Sequence, residues 1–179
     1  MSYRQHLIRS VLCALFAALC CLATLIVQVP APLVGYLNFG DGVVLTGAFL
    51  LGPWYGALAA AIGSALADLF AGYVQYVPAT FLIKGLVALV AGLLFALLHK
   101  RLRVPAFSSR IIGALLGEGV MVLGYFAYEA LLLGYGAAAL SGMPFNFLQA
   151  ALGIIVSVVL TSLLLKIPGI ERSLSGREE

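Results

Sequence analysis

Lys84 is the one basic side chain that falls inside a long apolar run, and chemistry in this sequence starts from it. A charge at the centre of a membrane-spanning helix costs roughly 2.5–3.5 kcal/mol on insertion scales, so it needs a partner. Asp68 is the candidate that depth suggests. The two sit at similar distances from a turn around Tyr76. A structural Asp68–Lys84 ion pair and a direct ligand contact by Lys84 both follow from that placement. Glu118, Tyr125 and Glu129 are spaced seven and four apart and share one helix face. Asn146, Gln149, Gly153 and Ser157 form a second such face, and Thr80 lies one turn from Lys84. Tyr36, Phe39, Tyr73, Tyr76, Tyr128, Tyr135, Phe145 and Phe147 add aromatic surface at the same level. An interfacial aromatic belt would account for the rings. It accounts less well for Glu129, Asn146 and Gln149, because buried polar groups need partners. A polar organic ligand would supply them. The expected pocket joins the loop residues Tyr36, Asn38 and Asp41 to Tyr76, Thr80, Lys84, Tyr125, Glu129, Asn146 and Gln149.

Other chemistry finds little to work with. His6 and His99 lie at the ends of apolar runs, away from the acids. The sequence contains no G-x-x-x-x-G-K-[ST], no G-x-S-x-G and no H-E-x-x-H. The stretch Asn38-Phe-Gly-Asp41 fails the G-x-G-D pattern of intramembrane aspartyl proteases at its first glycine. Cys13, Cys20 and Cys21 lie on one rigid helix, too far apart to pair, and read as small packing residues. No Cys/His cluster suggests a metal, and no cofactor is expected.

The elements that must position these groups follow from composition. Of 179 residues, 63% are hydrophobic and 9% charged, against roughly a quarter charged in soluble domains. Such a chain cannot clothe itself for water, so its solvent is lipid. The expected fold is an all-α integral membrane protein, one compact bundle of six transmembrane helices over residues 1–179. The helices are placed at about 7–27, 41–51, 54–71, 79–98, 111–133 and 144–165. Gly52-Pro53 separates the second from the third, and His99 through Arg110 reads as a basic loop. With six crossings, Arg4, Arg9, Lys100, Arg101, Arg103, Arg110, Lys166, Arg172 and Arg177 fall on one side. The positive-inside rule then puts both termini in the cytoplasm. The first segment reads as a retained helix, not a cleaved signal. Gly56, Ala60, Gly63 and Ala67 form a small-residue stripe expected to pack inside the bundle. Ala14 and Ala18 make a small-x-x-x-small pair whose default reading is also internal packing.

Four runs carry a family resemblance: Gly35-Tyr-Leu-Asn-Phe-Gly-Asp-Gly-Val-Val, Leu51-Gly-Pro-Trp-Tyr-Gly-Ala-Leu, Gly63-Ser-Ala-Leu-Ala-Asp-Leu-Phe-Ala-Gly-Tyr and Pro78-Ala-Thr-Phe-Leu-Ile-Lys-Gly-Leu. The chain resembles the S components of energy-coupling-factor (ECF) vitamin transporters, in the riboflavin-type branch that also resembles pyridoxine-type and hydroxymethylpyrimidine-type subunits. The motifs occupy about residues 35 to 86; length, helix count and topology extend the likeness over the rest. The resemblance implies a subunit that captures a B-group vitamin or heteroaromatic precursor from outside. A transmembrane coupling protein and two ATPases would supply the energy. It places the ligand pocket in the loop after the first helix and the outer ends of helices four to six. It also gives Ala14 and Ala18 a second reading, docking on the coupling protein. The implied location is the plasma membrane of a prokaryote. Two other readings stay beside it. A self-sufficient secondary transporter would use Asp68, Lys84 or Glu118 for proton coupling, though no internal repeat is visible. An intramembrane enzyme would need a facing catalytic pair.

Overall fold

Apolar side chains cover the flanks of this protein, and five of its charged side chains, Asp41, Asp68, Lys84, Glu118 and Glu129, are buried within. The structure, a computed structural model, describes residues 3–30 and 35–168. Among them six α-helices follow in order: α1 (Tyr3–Ile26), α2 (Gly40–Leu51), α3 (Pro53–Phe70), α4 (Val77–Ala96), α5 (Ala106–Ala127) and α6 (Met143–Leu164). Leu15, Leu22, Leu86, Leu123 and Ile155 are exposed, whereas Asp41, Lys84 and Glu118 are buried. That inversion suits a lipid solvent. Four helical stretches are long and apolar enough to cross a membrane: Gln5–Ile26, Val74–Arg101, Ala106–Leu132 and Gly136–Leu164. The 18-residue α3 is not among them; Pro53, Trp54, Tyr55 and Asp68 lower its apolarity.

α2 is the centre of the bundle. Eleven of its residues are buried, including Val44, Leu45, Thr46 and Ala48. A helix apolar all round belongs inside a core, and α1, α3, α4 and α6 pack around this one. Gly52 separates it from α3 with φ 85°, a left-handed conformation that glycine adopts without a Cβ clash. Pro53 then opens α3, where the missing N–H costs nothing. Gly56, Ala60, Gly63 and Ala67 are all buried. They let α3 approach α2 and α1 at backbone distance. Cys13, Cys20 and Cys21 are buried and unpaired on the inner face of α1.

Two expectations are corrected. The basic segment from His99 is not a loop up to Arg110: a π turn over Leu97–Arg101 continues α4, and α5 starts at Ala106. The connection is therefore short. Exposed basic side chains do not stop a helix while its backbone bonds persist. The loop after α1 also has order of its own. Strands β1 (Val29–Pro30) and β2 (Tyr36–Leu37) pair antiparallel, with Val29 opposite Leu37. Lys100, Arg101, Arg103 and Lys166 are exposed at one end of the bundle. The residues Arg172 and Arg177, and the side chain of Arg4, lie outside the described part.

Candidate functional site

A cavity opens at the bundle end opposite these cations. β2, the C-terminal ends of α3 and α5 and the N-terminal ends of α4 and α6 converge there. It encloses about 470 Å³ of empty space, its open mouth included. Of the ten residues expected in a pocket, Tyr36, Asn38, Tyr76, Thr80, Tyr125, Glu129, Asn146 and Gln149 line this one. Gly35, Leu37, Asp68, Tyr73 and Phe145 complete the wall.

Asp41 and Lys84 do not line it, and the expected Asp68–Lys84 ion pair is not the one formed. Lys84 Nζ pairs with Asp41 Oδ1. Asp41 sits in the first turn of α2, where an anion also suits the helix dipole. Matched depth on the α3–α4 hairpin is a sound guide to height. It does not say which way each side chain turns about its helix. Asp68 faces the cavity instead. Its Oδ1 accepts from Tyr36 Oη at 2.8 Å and its Oδ2 from Thr80 Oγ1. The Thr80 proton is thereby committed, so Tyr125 Oη must donate to Thr80 Oγ1 at 3.0 Å. Burial, and then the Asp68 charge, push the Tyr36 hydroxyl above the ordinary tyrosine range, so it remains a donor.

Gln149 joins wall to floor. Its Oε1 accepts the Asn38 backbone N–H at 2.9 Å, and its Nε2 donates to Asp41 Oδ2 at 2.7 Å. A carboxylate only accepts and a backbone N–H only donates, so the amide fits one way round. Asn38 Oδ1 in turn accepts from the Gly40 N–H at 2.9 Å, a local turn that starts α2. One chain of bonds thus runs from Asn38, just after β2, through Gln149 and Asp41 to Lys84. Lys84 Nζ lies 5.4 Å from the Tyr125 ring centroid, a cation–π distance. Glu118 is buried below, with no partner on either carboxylate oxygen among the described residues.

The rings form a continuous wall. Tyr36 and Tyr73 centroids are 4.8 Å apart, Tyr73 and Tyr76 6.2 Å, and Tyr76 and Tyr125 6.4 Å. Phe147 and Tyr135 are exposed instead. Glu129 lies in a π turn, Tyr128–Leu132, that extends α5. Its Oε1 accepts from Tyr76 Oη at 3.3 Å, while its Oε2 is buried without a hydrogen-bond partner among the described residues. Sequence reasoning offers Asp68 as an ion-pair partner or a proton-coupling group, not as a cavity-wall residue; its position one turn before the α3–α4 turn is the available hint of a wall role. No group of His, Cys, Asp and Glu among the described residues is arranged to hold a metal.

This geometry separates two kinds of polar residue. Gln149→Ala should destabilise the protein by about 1–3 kcal/mol, since it leaves an Asp41 oxygen and the Asn38 N–H unpaired. Asn146 makes no side-chain bond among the described residues, so Asn146→Ala should leave the melting temperature unchanged. Any loss of ligand affinity in Asn146→Ala then reports a direct contact. Thermal melts and ligand titrations in detergent check both.

Taken together, an apolar-coated helical bundle with an open, polar and aromatic cavity at one end defines a membrane protein built to hold a small molecule. A family model for the ECF-type riboflavin transporter S component matches residues 5–166, and the chain belongs to that family. It is 36% identical over 134 residues to an uncharacterized protein in the gap 3′ region of Pyrococcus woesei, covering 74% of this chain and 85% of that one. Its fold is similar to the S component of a bacterial ECF transporter, with TM-score 0.66 and 24% identity over 88% of this chain and 95% of that one. It is also similar to the S component for biotin of an ECF-type ABC transporter, with TM-score 0.64 and 16% identity over 97% and 99%.

Ala14 and Ala18 are exposed on α1, while Ala17 and Cys20 beside them face inward. Internal packing, the default reading of the pair, is therefore not their environment.

Proposed function

We propose that this chain is the substrate-binding subunit of an ECF importer that captures a B-group vitamin or heteroaromatic precursor from outside. The ligand would be riboflavin-, pyridoxine- or hydroxymethylpyrimidine-like. The observation that carries the reading is the cavity itself. Tyrosines offer faces for a flat ring, and Asn146 and Glu129 offer polar atoms with unused capacity, the pattern of a small-molecule site. It lies away from the exposed cations, which mark the cytoplasmic side under the positive-inside rule. On this reading the chain makes six crossings of the plasma membrane of a prokaryote, the short α2 completing its crossing with the loop before it, as one membrane domain with both termini inside. The wall residues contact the ligand, and the Asp41–Lys84 pair holds the floor beneath it. A transmembrane coupling protein and two ATPases drive uptake. Ala14 and Ala18 offer the coupling protein a flat, exposed surface for close helix approach.

Ala14→Trp and Ala18→Trp test this. Both should leave vitamin binding by the purified subunit intact, since neither side chain faces the bundle. Both should abolish uptake by cells carrying the whole complex. Uptake that survives both changes would remove α1 as the docking face. Uptake by the subunit reconstituted alone would favour a proton-coupled transporter instead. Mass spectrometry of ligand retained through purification would name the vitamin.

A further inference from the structure

We infer that the cavity takes its vitamin only in a form without an anionic group, and that Glu129 enforces this by accepting a hydrogen bond from an N–H or O–H edge of the ligand. This deepens the proposed vitamin-binding role and rests on it. The wall contains two acids, Asp68 and Glu129, and no Lys, Arg or His. The nearest cation, Lys84, is 3% exposed and committed to Asp41 beneath the floor. The acids differ in what they still need. Both Asp68 oxygens accept a hydroxyl donor. Glu129 is 3% exposed, accepts once on Oε1 from Tyr76, and has no hydrogen-bond donor on Oε2 among the described residues. A buried carboxylate oxygen without a donor is costly, and a ligand donor at that point relieves the cost. An anionic group there would have no counter-charge. At an effective dielectric of about 20, a like charge roughly 6 Å away weakens binding by roughly a hundredfold. The cavity is therefore built for the free vitamin and against its phosphate ester or a carboxylate.

The test titrates the purified chain in detergent with riboflavin, pyridoxine and hydroxymethylpyrimidine, with their phosphate esters, and with biotin. A neutral compound should bind at least about tenfold more tightly than its own ester. Glu129→Gln, read beside a thermal melt, should then weaken the neutral ligand by about tenfold or more and narrow its advantage over the ester. Glutamine reproduces a protonated acid, with an acceptor for Tyr76 and an N–H donor in the place of Oε2. Unchanged affinity in the variant would therefore overturn the acceptor role. An unchanged ratio would mean that size, not charge, excludes the ester, and would overturn the inference too. An ester or biotin that binds as well as the neutral forms sinks the inference but leaves a vitamin-binding subunit standing. If nothing in the panel binds, the vitamin reading itself falls and takes the inference with it. Should Glu129→Gln fail to fold, the wild-type ratio alone still decides.

Discussion

Lys84→Ala should cost about 3–5 kcal/mol of stability, because it leaves the Asp41 carboxylate charged and buried without its counter-ion. Asp41 is fully buried, and its only remaining side-chain donor among the described residues would be Gln149 Nε2. One neutral amide does not replace an ammonium. Asp41→Ala should be comparably harmful, with a lone ammonium left behind. The double change Asp41→Ala/Lys84→Ala should be milder than either single one. Removing both charges removes the desolvation cost along with the attraction. Adding Asp68→Ala to Lys84→Ala should bring no such relief, because the hydroxyls of Tyr36 and Thr80 serve Asp68. Thermal unfolding in detergent, followed by monodispersity on size exclusion, reads all four. If Asp68→Ala rescues Lys84→Ala as well as Asp41→Ala does, the assignment of the pair is wrong.

Gly63→Val should be nearly as damaging, for a steric reason. A Cβ at Gly63 would meet the Ala17 carbonyl oxygen at 2.2 Å and the Cys20 Cβ at 2.7 Å. The obstacle is the backbone of α1, which cannot swing aside like the tip of a long side chain. Relief requires α1 and α3 to separate along their whole contact, so the cost should reach the upper part of the 1–3 kcal/mol typical of overpacking, or about 3 kcal/mol. Gly119 is the control. A Cβ there meets nothing within 4 Å, so Gly119→Ala should be neutral or stabilise by up to about 1 kcal/mol through helix propensity. The same melts check it. Equal losses at both sites would mean that close approach of α1 and α3 is not what Gly63 provides.

The two positions also mark how far the sequence can be read. Gly63 belongs to a small stripe at helical spacing, and spacing and residue size are enough to announce a packed face. Glu118, Tyr125 and Glu129 are legible in the same way, since their spacing fixes a shared face; Glu118 is buried deep, and the other two reach the cavity. Heights along the bundle are legible as well, because each residue of helix adds a fixed rise. Directions around a helix, relative to neighbours far off in sequence, are not. That is why depth alone matches Lys84 with Asp68, when Asp41, 43 residues away across the core, holds it. The strand pair β1–β2 leaves no sequence signal because two residues a side are too few to show alternation, and Pro30 is one of the four. The helical continuation past His99 is hidden because a run of charge looks like a loop. Basic residues mark which side a helix end faces; they do not mark where its hydrogen bonding stops.

The shortness of α2 has a further consequence for the cargo. Its 12 residues rise about 18 Å, whereas a hydrocarbon core is about 30 Å deep. In the proposed six-helix arrangement, the depth that the helix leaves free holds the cavity, whose wall includes Tyr36 and Leu37 of β2. In that arrangement, a molecule resting on the Gln149–Asp41 floor would sit about 12 Å below the level at which a full-length helix would begin. For the importer subunit proposed above, uptake would then move the ligand over the remaining stretch only, a distance shorter than the membrane is thick.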